Sequence, residues 1–241
     1  MSNPYEGTGN LHDSESSLTL YNNSILKLLK KHMDLDLNLK KTICDFGAGV
    51  GAFATLFENT YQVSPTCIEL DANLVKILKE KKLHSFTEFP AESTFDVIYT
   101  CNVLEHIKSD QYALSEFFEH LNKGGRLLIY VPAFPFLYSD MDKQIGHYRR
   151  YTKADLVKKV KSAGFQIQVC FYHDSCGIFA SLLLKIFGFN RKSGLGSKQT
   201  LLIYDKIIFP VSNFLDFLGF RFLFGKNLFL SAVKPLVNEL D

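Results

Sequence analysis

Short apolar runs alternate with segments of helical spacing along most of the chain. Residues 18–33 carry apolar side chains at positions 18, 20, 21, 25, 28 and 29, which is the spacing of an amphipathic helix. We predict strands at 43–46, 66–69, 95–101, 126–131, 165–172 and 227–233, and helices at 73–82, 110–121 and 153–163. This alternation predicts an α/β fold with a doubly wound, mostly parallel sheet.

The last predicted strand cannot join the one before it by a tight turn. Roughly fifty residues separate 165–172 from 227–233, far more than a hairpin loop holds. We therefore expect residues 174–226 to form an insertion with its own helices before the last strand. No internal repeat or second domain boundary is evident, so we expect a single domain over 1–241, with residues 1–17 as a loose polar tail.

Composition narrows the class of protein. Hydrophobic residues make up 46% of the 241 residues and charged residues 22%, which is typical of a globular chain. A net charge of +2 implies no general attraction to nucleic acid, and no such partner is expected. The five cysteines include no C-x-x-C pair, which suggests a reducing compartment. Residues 1–17 lack the apolar stretch of a signal peptide, so a cytoplasmic location is expected.

The turn after the first strand carries the most informative pattern. Glycines stand at 47, 49 and 51, after the strand and before a helix-compatible segment. Glycine accepts positive φ and leaves room for close approach, so this turn suits backbone contact with a nucleotide-like cofactor. The first two glycines and Ala52 also satisfy the relaxed dinucleotide pattern, which keeps an NAD(P)-dependent oxidoreductase as an alternative. Asp45 counts against it, because dinucleotide sites are usually apolar at that position.

Five segments together resemble the motifs of class I S-adenosylmethionine-dependent methyltransferases, in particular the small-molecule and lipid-methylating type 11/12-like group. They are Asp-Phe-Gly-Ala-Gly-Val-Gly at 45–51, Ile-Glu at 68–69, Phe-Asp-Val-Ile-Tyr at 95–99, Asn-Val-Leu-Glu-His at 102–106 and Gly-Gly-Arg at 124–126. The resemblance covers residues 41–131. It implies a seven-stranded Rossmann-like sheet, with S-adenosyl-L-methionine as the cofactor of a transferase.

The resemblance also implies which residues hold the cofactor. Glu69, the acid at the end of the second strand, would accept hydrogen bonds from both ribose hydroxyls. Asp45 would offset the cationic methionine end, directly or through water. The implied cofactor-binding residues are Asp45, Gly47, Ala48, Gly49, Gly51, Glu69 and Asn102.

A second stretch, Ser-Asp-Met-Asp-Lys-Gln-Ile-Gly-His-Tyr-Arg-Arg-Tyr at 139–151, resembles the GHxRRY signature of one bacterial subgroup of these enzymes. Asp-Ser at 174–175 and Phe-Gly-Lys-Asn at 224–227 resemble that subgroup too. Arg149 and Arg150 suit a phosphate or carboxylate of the acceptor, with a solvated basic face as the alternative. His147 is the candidate general base for an acceptor that must lose a proton. His106 is assigned to acceptor binding, with packing at a helix start as its alternative, and no metal ion is expected.

The last third of the chain is rich in phenylalanine. Residues 165–241 hold 12 of the 22 phenylalanines, and charged residues interrupt the apolar runs too often for a membrane span. Apolar helices with sparse positive charge suit peripheral contact with an anionic membrane, or a lid over a lipid-like acceptor. A helical cover packed on the core, or a dimer face, is the alternative.

The sequence thus predicts a methyltransferase that acts on an anionic small-molecule, glycan or lipid-like acceptor. The oxidoreductase is one alternative. The other is a non-catalytic module, on the same fold, that binds a membrane surface or a partner. An intact glycine turn with both Asp45 and Glu69 present favours the enzyme.

Overall fold

The computed structural model describes residues 18–33, 41–187 and 198–236. The strands are β1 (Ile43–Phe46), β2 (Thr66–Ile68), β3 (Ser85–Phe86), β4 (Phe95–Cys101), β5 (Leu121–Pro132), β6 (Gln166–His173) and β7 (Asn227–Val233). They form one sheet in the order β3-β2-β1-β4-β5-β7-β6, in which β7 runs antiparallel to both of its neighbours and the other pairs are parallel. The predicted seven-stranded, doubly wound α/β fold is confirmed.

Helices lie at or near the predicted places, and one helix, α5, was not predicted. They are α1 (Thr19–Met33), α2 (Ala52–Tyr61), α3 (Ala72–Glu80), α4 (Asp110–Glu119), α5 (Asp140–Gln144), α6 (Lys153–Ser162), α7 (Gly177–Phe187), α8 (Lys198–Ile203) and α9 (Phe209–Phe217). Single 3₁₀ turns lie at Leu104–His106, Pro135–Leu137 and Phe220–Phe222, and a π-helical turn at Tyr204–Ile208 joins α8 to α9.

The start of β5 differs from the prediction. The strand begins at Leu121, whereas the sequence pattern placed a helix end and a turn over 121–125. Gly124 donates its N–H to Lys234 O at 2.8 Å, and the Lys234 N–H donates to Gly125 O at 2.9 Å. The glycine pair therefore belongs to the sheet instead of forming a free turn. The two-residue strand β3 is too short for a periodicity to reveal.

Apolar side chains cover both faces of the sheet. In β5, Leu127, Ile129 and Val131 pack on the face covered by α4 and α6, while Leu128 and Tyr130 pack on the face covered by α1. Burial on both faces explains why the central strands appear in the sequence as continuous apolar runs. A ligand can therefore reach the strands only at an edge, and in doubly wound folds that edge is the carboxyl one.

The insertion at 174–226 contributes α7, α8 and α9 and packs against α1. Its Asp205 caps α1, because the carboxylate accepts the N–H groups of Leu20 and Tyr21 at 3.0 and 2.9 Å. Within the described part of the chain, no helix is both long enough and apolar enough to cross a membrane. The predicted tail at 1–17 and residues 188–197 of the insertion lie outside the described residues.

Candidate functional site

The glycine turn between β1 and α2 lies at the carboxyl edge of the sheet. Gly47, Gly49 and Gly51 have φ angles of 77°, 57° and 84°, a region in which any side chain is strained. A Cβ on Gly47 would lie 2.3 Å from Val103 Cγ2, whereas a Cβ on Gly49 would meet no atom within 4 Å. The turn is therefore packed against the protein at Gly47 and open at Gly49.

Glu69 follows β2 and joins that strand to the glycine turn. Its Oε2 accepts the Gly49 N–H at 2.8 Å, and its Oε1 accepts the Asp71 N–H at 3.0 Å. These two bonds fix the carboxylate, and each oxygen keeps a further lone pair for a ligand. Asp71 has a separate role, since it caps α3 by accepting the Asn73 N–H at 2.8 Å.

A cavity of ≈ 290 Å³ opens between these elements and the loop that follows β4. Its wall includes five of the residues assigned from the sequence, namely Gly47, Gly49, Glu69, Asn102 and His106. It also includes Leu70, which is 71% exposed and was not assigned. The sequence signal that could have identified Leu70 is an apolar residue directly after Glu69, the acid that follows β2. An exposed apolar side chain beside a fixed carboxylate suits a ligand that carries both a ring and hydroxyl groups.

The three remaining cofactor residues assigned from the sequence are not on the cavity wall. Asp45 is buried, and its Oδ2 has no hydrogen-bond partner within the described residues. Burial raises the pKa of Asp45 to about 7. Ala48 belongs to a small core cluster, and a Cβ on Gly51 would lie 2.6 Å from Leu83. Ala48 and Gly51 therefore shape the turn, whereas Asp45 is an ionisable group close to it.

The loop after β4 forms another part of the wall. Asn102 has a φ of 56°, and His106 ends the 3₁₀ turn Leu104–His106. Burial lowers the pKa of His106 to about 4, with a contribution from His147, so this imidazole is neutral at pH 7. The rings of His106 and His147 lie 4.5 Å apart, edge to face. His106 therefore lines the cavity, and His147 packs beside it.

His147 lies between two carboxylates. Its Nδ1 is 2.8 Å from Asp142 Oδ1, and its Nε2 is 3.7 Å from Glu105 Oε1. Burial opposes ionisation of Asp142, but hydrogen bonds from His147 and Arg150 outweigh burial and hold the pKa of Asp142 below its usual value. An ionised Asp142 can only accept a hydrogen bond. The His147 Nδ1–H therefore donates to Asp142, and in the neutral imidazole the lone pair is on Nε2.

Both arginines of the signature are paired with carboxylates of the chain. Arg149 Nη1 lies 2.8 Å from Asp110 Oδ2, and Arg150 Nε lies 2.9 Å from Asp142 Oδ1. The Tyr151 hydroxyl, which is buried, also donates to Asp110 Oδ2 at 2.9 Å. The signature thus ties its own turn to the start of α4. This pairing favours a positioning role for the arginines over direct contact with an anion.

Glu105 is a site residue that the sequence analysis did not assign. It is fully buried, and neither carboxylate oxygen meets a hydrogen-bond partner in another described residue. Burial raises the pKa of Glu105 to about 8. One ligand atom from each of Glu105, His106 and His147 lies within 4.8 Å of the others. An acid and a histidine adjacent to each other directly after a buried strand were the signal for this cluster.

The sequence profile of the methyltransferase domain matches residues 19–168, which is more than half of the chain. This match excludes the oxidoreductase alternative. The phosphoethanolamine N-methyltransferase 1 of Triticum aestivum is 31% identical over 106 residues, which are 39% of this chain and 21% of that protein. The chain therefore spans about a fifth of this relative's length.

Solved structures of methyltransferases share the fold. The phosphoethanolamine N-methyltransferase 2 of Haemonchus contortus, solved in complex with S-adenosyl-L-methionine, superposes with a TM-score of 0.57 at 20% identity, covering 88% of this chain and 52% of that chain. An S-adenosylmethionine-dependent methyltransferase from Archaeoglobus fulgidus gives a TM-score of 0.57 at 15% identity, covering 88% of this chain and 94% of that chain. With the family profile, the seven-stranded sheet and the glycine turn in agreement, the chain belongs to the class I S-adenosylmethionine-dependent methyltransferases.

Proposed function

We propose that the protein transfers a methyl group from S-adenosylmethionine to an anionic, lipid-like or small phosphate-bearing acceptor. The observation that carries this proposal is the cavity at the carboxyl edge of the sheet. One wall is the glycine turn with Glu69, and the other is the loop that bears His106. Groups that can hold the cofactor and a group that can face the acceptor thus border a single space.

The residues on the first wall fit the cofactor. Gly49 leaves open space where a side chain would project, so the backbone can lie close to the nucleoside. Glu69 is held so that each oxygen can accept one ribose hydroxyl, and Leu70 offers an apolar surface beside it. When bound, the cofactor supplies a methyl group on a positively charged sulfur. An ionised Asp45 near the turn favours that positive charge.

The residues on the second wall act on the acceptor. His106 borders the cavity and can orient a nucleophile, and the His147 ring packs against it at 4.5 Å, so His147 can take up the proton of that nucleophile through His106. Asp142 fixes the His147 tautomer and, with Arg150, acts as a positioning residue. His147 keeps the role of general base that its place in the signature suggested.

The surface of the insertion supports a lipid-like acceptor or an anionic membrane. The three acids of its described part, Asp174, Asp205 and Asp216, are buried and accept hydrogen bonds from backbone N–H groups. The charges that remain at the surface there are basic, and they are Lys185, Lys198, Lys206 and Arg221. Many apolar side chains are exposed among them, including Phe179, Ile186, Val211, Phe214, Phe217 and Phe222. An apolar surface with only positive charge matches an anionic lipid boundary.

The insertion also contacts the segment that leads into the signature. Lys185 of α7 donates a hydrogen bond to Phe136 O, in the turn that follows β5. An acceptor held at a lipid boundary would therefore lie next to the segment that leads to His147.

A direct assay of methyl transfer tests the proposal. The full chain is incubated with methyl-labelled S-adenosylmethionine and either anionic phospholipid vesicles or phosphoethanolamine, the acceptor named for the plant and nematode relatives. We expect label in an acceptor and formation of S-adenosylhomocysteine, both lost in Gly49→Val. Tight cofactor binding without transfer to any phosphate-bearing or lipid acceptor would instead favour the non-catalytic module.

A further inference from the structure

The acceptor wall is the side of the cavity formed by the loop that bears His106. With the neighbouring turn that bears His147, it contains a cluster of metal-ligating side chains that the proposed reaction does not fully use. Glu105, His106 and His147 each place one ligand atom within 4.8 Å of the other two. The cluster borders the cofactor cavity, because His106 lies on its wall. These three residues come from two separate loops, the one after β4 and the one after α5.

The buried carboxylate is the least satisfied member of this cluster. Glu105 is fully buried, and both of its oxygens lack a hydrogen-bond partner in another described residue. His147 Nε2 lies 3.7 Å from Glu105 Oε1, which is too far for a hydrogen bond. A buried carboxylate without a partner is costly, so a native structure that retains one calls for a ligand at that place.

The histidines are arranged as metal ligands usually are. Asp142 holds His147 by Nδ1 at 2.8 Å, which leaves Nε2 directed toward Glu105. His106 is in turn hydrogen-bonded to the backbone of Gly146. In metal sites the second ring nitrogen of a ligating histidine is commonly bonded to a carboxylate or a backbone carbonyl, and this bond orients the ring.

We propose that Glu105, His106 and His147 bind one divalent transition-metal ion on the acceptor side of the cofactor cavity. Bonds of about 2.1 Å place the ligand atoms of one ion roughly 3 to 4 Å apart, so atoms that lie within 4.8 Å of one another need to close by about 1 to 2 Å at most. Two imidazoles and one carboxylate favour Zn²⁺, Mn²⁺ or Fe²⁺ over Mg²⁺, which prefers oxygen ligands. Three protein ligands leave at least one coordination position open to the cavity.

The ion gives a specific role to the acceptor wall, and this role rests on the proposed methyl transfer. An acceptor hydroxyl that occupies the open position loses its proton to solvent more readily. Its oxygen then forms the bond to the methyl carbon, while the sulfur–methyl bond breaks and its electron pair stays on sulfur. His147 is then a ligand instead of the general base. The positive charge of the ion also attracts an anionic acceptor, which the paired arginines do not.

Calorimetry on the full chain tests the site. The protein is stripped with a chelator, dialysed and titrated with Zn²⁺, Mn²⁺ and Mg²⁺ chlorides. In separate titrations we expect one Zn²⁺ ion or one Mn²⁺ ion per chain, and weaker binding of Mg²⁺. His147→Ala and Glu105→Gln should each lower Zn²⁺ affinity by at least about 10- to 100-fold. His84→Ala is the matched control, because His84 is exposed and outside the cluster. Each variant is also titrated with S-adenosylhomocysteine, because native affinity for this ligand would show that the cofactor-binding part of the variant is folded.

The outcomes separate this proposal from the proposed function. Zn²⁺ affinity that is absent, or unchanged in both Glu105→Gln and His147→Ala, overturns the metal site. Methyl transfer that resists the chelator in that case leaves His147 as the base. One bound Zn²⁺ that is lost in both variants supports the site, whether or not an acceptor has been found. The intense visible absorption of a four- or five-coordinate Co²⁺ form, absent in Glu105→Gln, supports it independently of activity.

Discussion

The Glu69 Oε2 atom accepts a hydrogen bond from the Gly49 backbone nitrogen at 2.8 Å, and this bond joins the carboxyl ends of β2 and β1. The residue that is expected to hold the ribose therefore also fixes the turn that the nucleoside must approach. Cofactor affinity and turn geometry are coupled through a single carboxylate, so substitutions on either side should affect both.

Gly49→Val should abolish binding of S-adenosylhomocysteine. A Cβ at this position meets no protein atom within 4 Å, so the added side chain projects into open space at the cavity. The φ of 57° adds backbone strain of about 1–2 kcal/mol. Calorimetry with S-adenosylhomocysteine measures the loss of binding.

Gly219→Val is the matched control for Gly49→Val. Gly219 also has positive φ, at 105°, and also has no atom within 4 Å of an added Cβ, but it lies in the insertion. We expect this variant to be at least as strained as Gly49→Val, because φ 105° lies outside the left-handed region that side chains adopt, and yet to bind normally. Equal affinity losses in the two variants would mean that strain, and not blockage of the cavity, explains the effect.

Glu69→Gln should weaken cofactor binding by about 1–3 kcal/mol, the range for loss of a charged hydrogen-bond partner. The amide also places a donor against either the Gly49 or the Asp71 N–H, which the carboxylate accepts in the native protein. Glu80→Gln, an exposed change at the end of α3, is the control and should bind as the native chain does. Native-like affinity in Glu69→Gln would remove Glu69 from the ribose site.

S-adenosylmethionine affinity should rise as pH increases through about 7. Burial raises the pKa of Asp45 to about 7, so the carboxyl is neutral below that pH and charged above it. A positively charged ligand favours the charged form, and binding near pH 7 should therefore release a fraction of a proton. Calorimetry in two buffers of different ionisation enthalpy measures this release. In Asp45→Asn both the release and the pH dependence should disappear.

The same carboxyl should affect stability in the opposite direction. Its pKa in the folded chain lies above the ordinary value of 3.8, so the folded state binds the proton more tightly than the unfolded state does. The free energy of unfolding should therefore fall as pH rises from about 4 to about 7. Urea unfolding of the native chain and of Asp45→Asn across this range gives the comparison, and parallel pH profiles would contradict the assignment.

Arg150→Gln should destabilise the fold more than Arg149→Gln. The Arg150 side chain is 9% exposed and its partner Asp142 only 1%, so the change leaves a buried carboxylate short of a cation, at a cost of about 2–4 kcal/mol. Arg149 is 25% exposed, and its partner Asp110 keeps Lys159 at 3.0 Å, which limits the cost to about 1 kcal/mol. Urea unfolding measures both. If both variants are as stable as the native chain but show a raised KM for the acceptor, the arginines bind an anion directly.

Anionic vesicles should sediment the protein at low salt and release it at high salt. Each basic residue near such a surface adds about 1 kcal/mol, and salt screens that attraction. Replacing both Phe214 and Phe217, which are 60% and 79% exposed, with Glu should abolish binding. Tyr112→Glu on α4 removes an equally exposed aromatic outside the insertion and should have no effect. A chain that stays in the supernatant yet elutes as a stable dimer would show that the apolar surface is a dimer face.

Local patterns predicted the parts of the site that are close in sequence. The positive φ of the glycine turn and the acid at the end of β2 are both visible as residue types at fixed spacing. The partner of Arg149 was not predictable, because Asp110 begins α4 and its pairing depends on how that helix packs. Asp142, the partner of Arg150, lies within the signature, but its pairing depends on how the turn after α5 folds back on that helix. Glu105 was missed for a related reason. An acid in a turn after a strand is expected to be exposed, whereas Glu105 is fully buried and its backbone O accepts the Tyr148 N–H of the signature at 2.8 Å.

The two ends of the insertion meet at a single point. The Lys226 N–H donates to Asp174 O at 2.9 Å, and a Cβ on Gly225 would lie 2.7 Å from His173 O, so β6 and β7 enter and leave the insertion in contact. A segment closed at its base in this way can be exchanged as a cassette without altering the register of the sheet. Recombination at residues 174 and 226 would therefore replace the surface that we propose for the acceptor or the membrane, while the glycine turn and Glu69 stay unchanged.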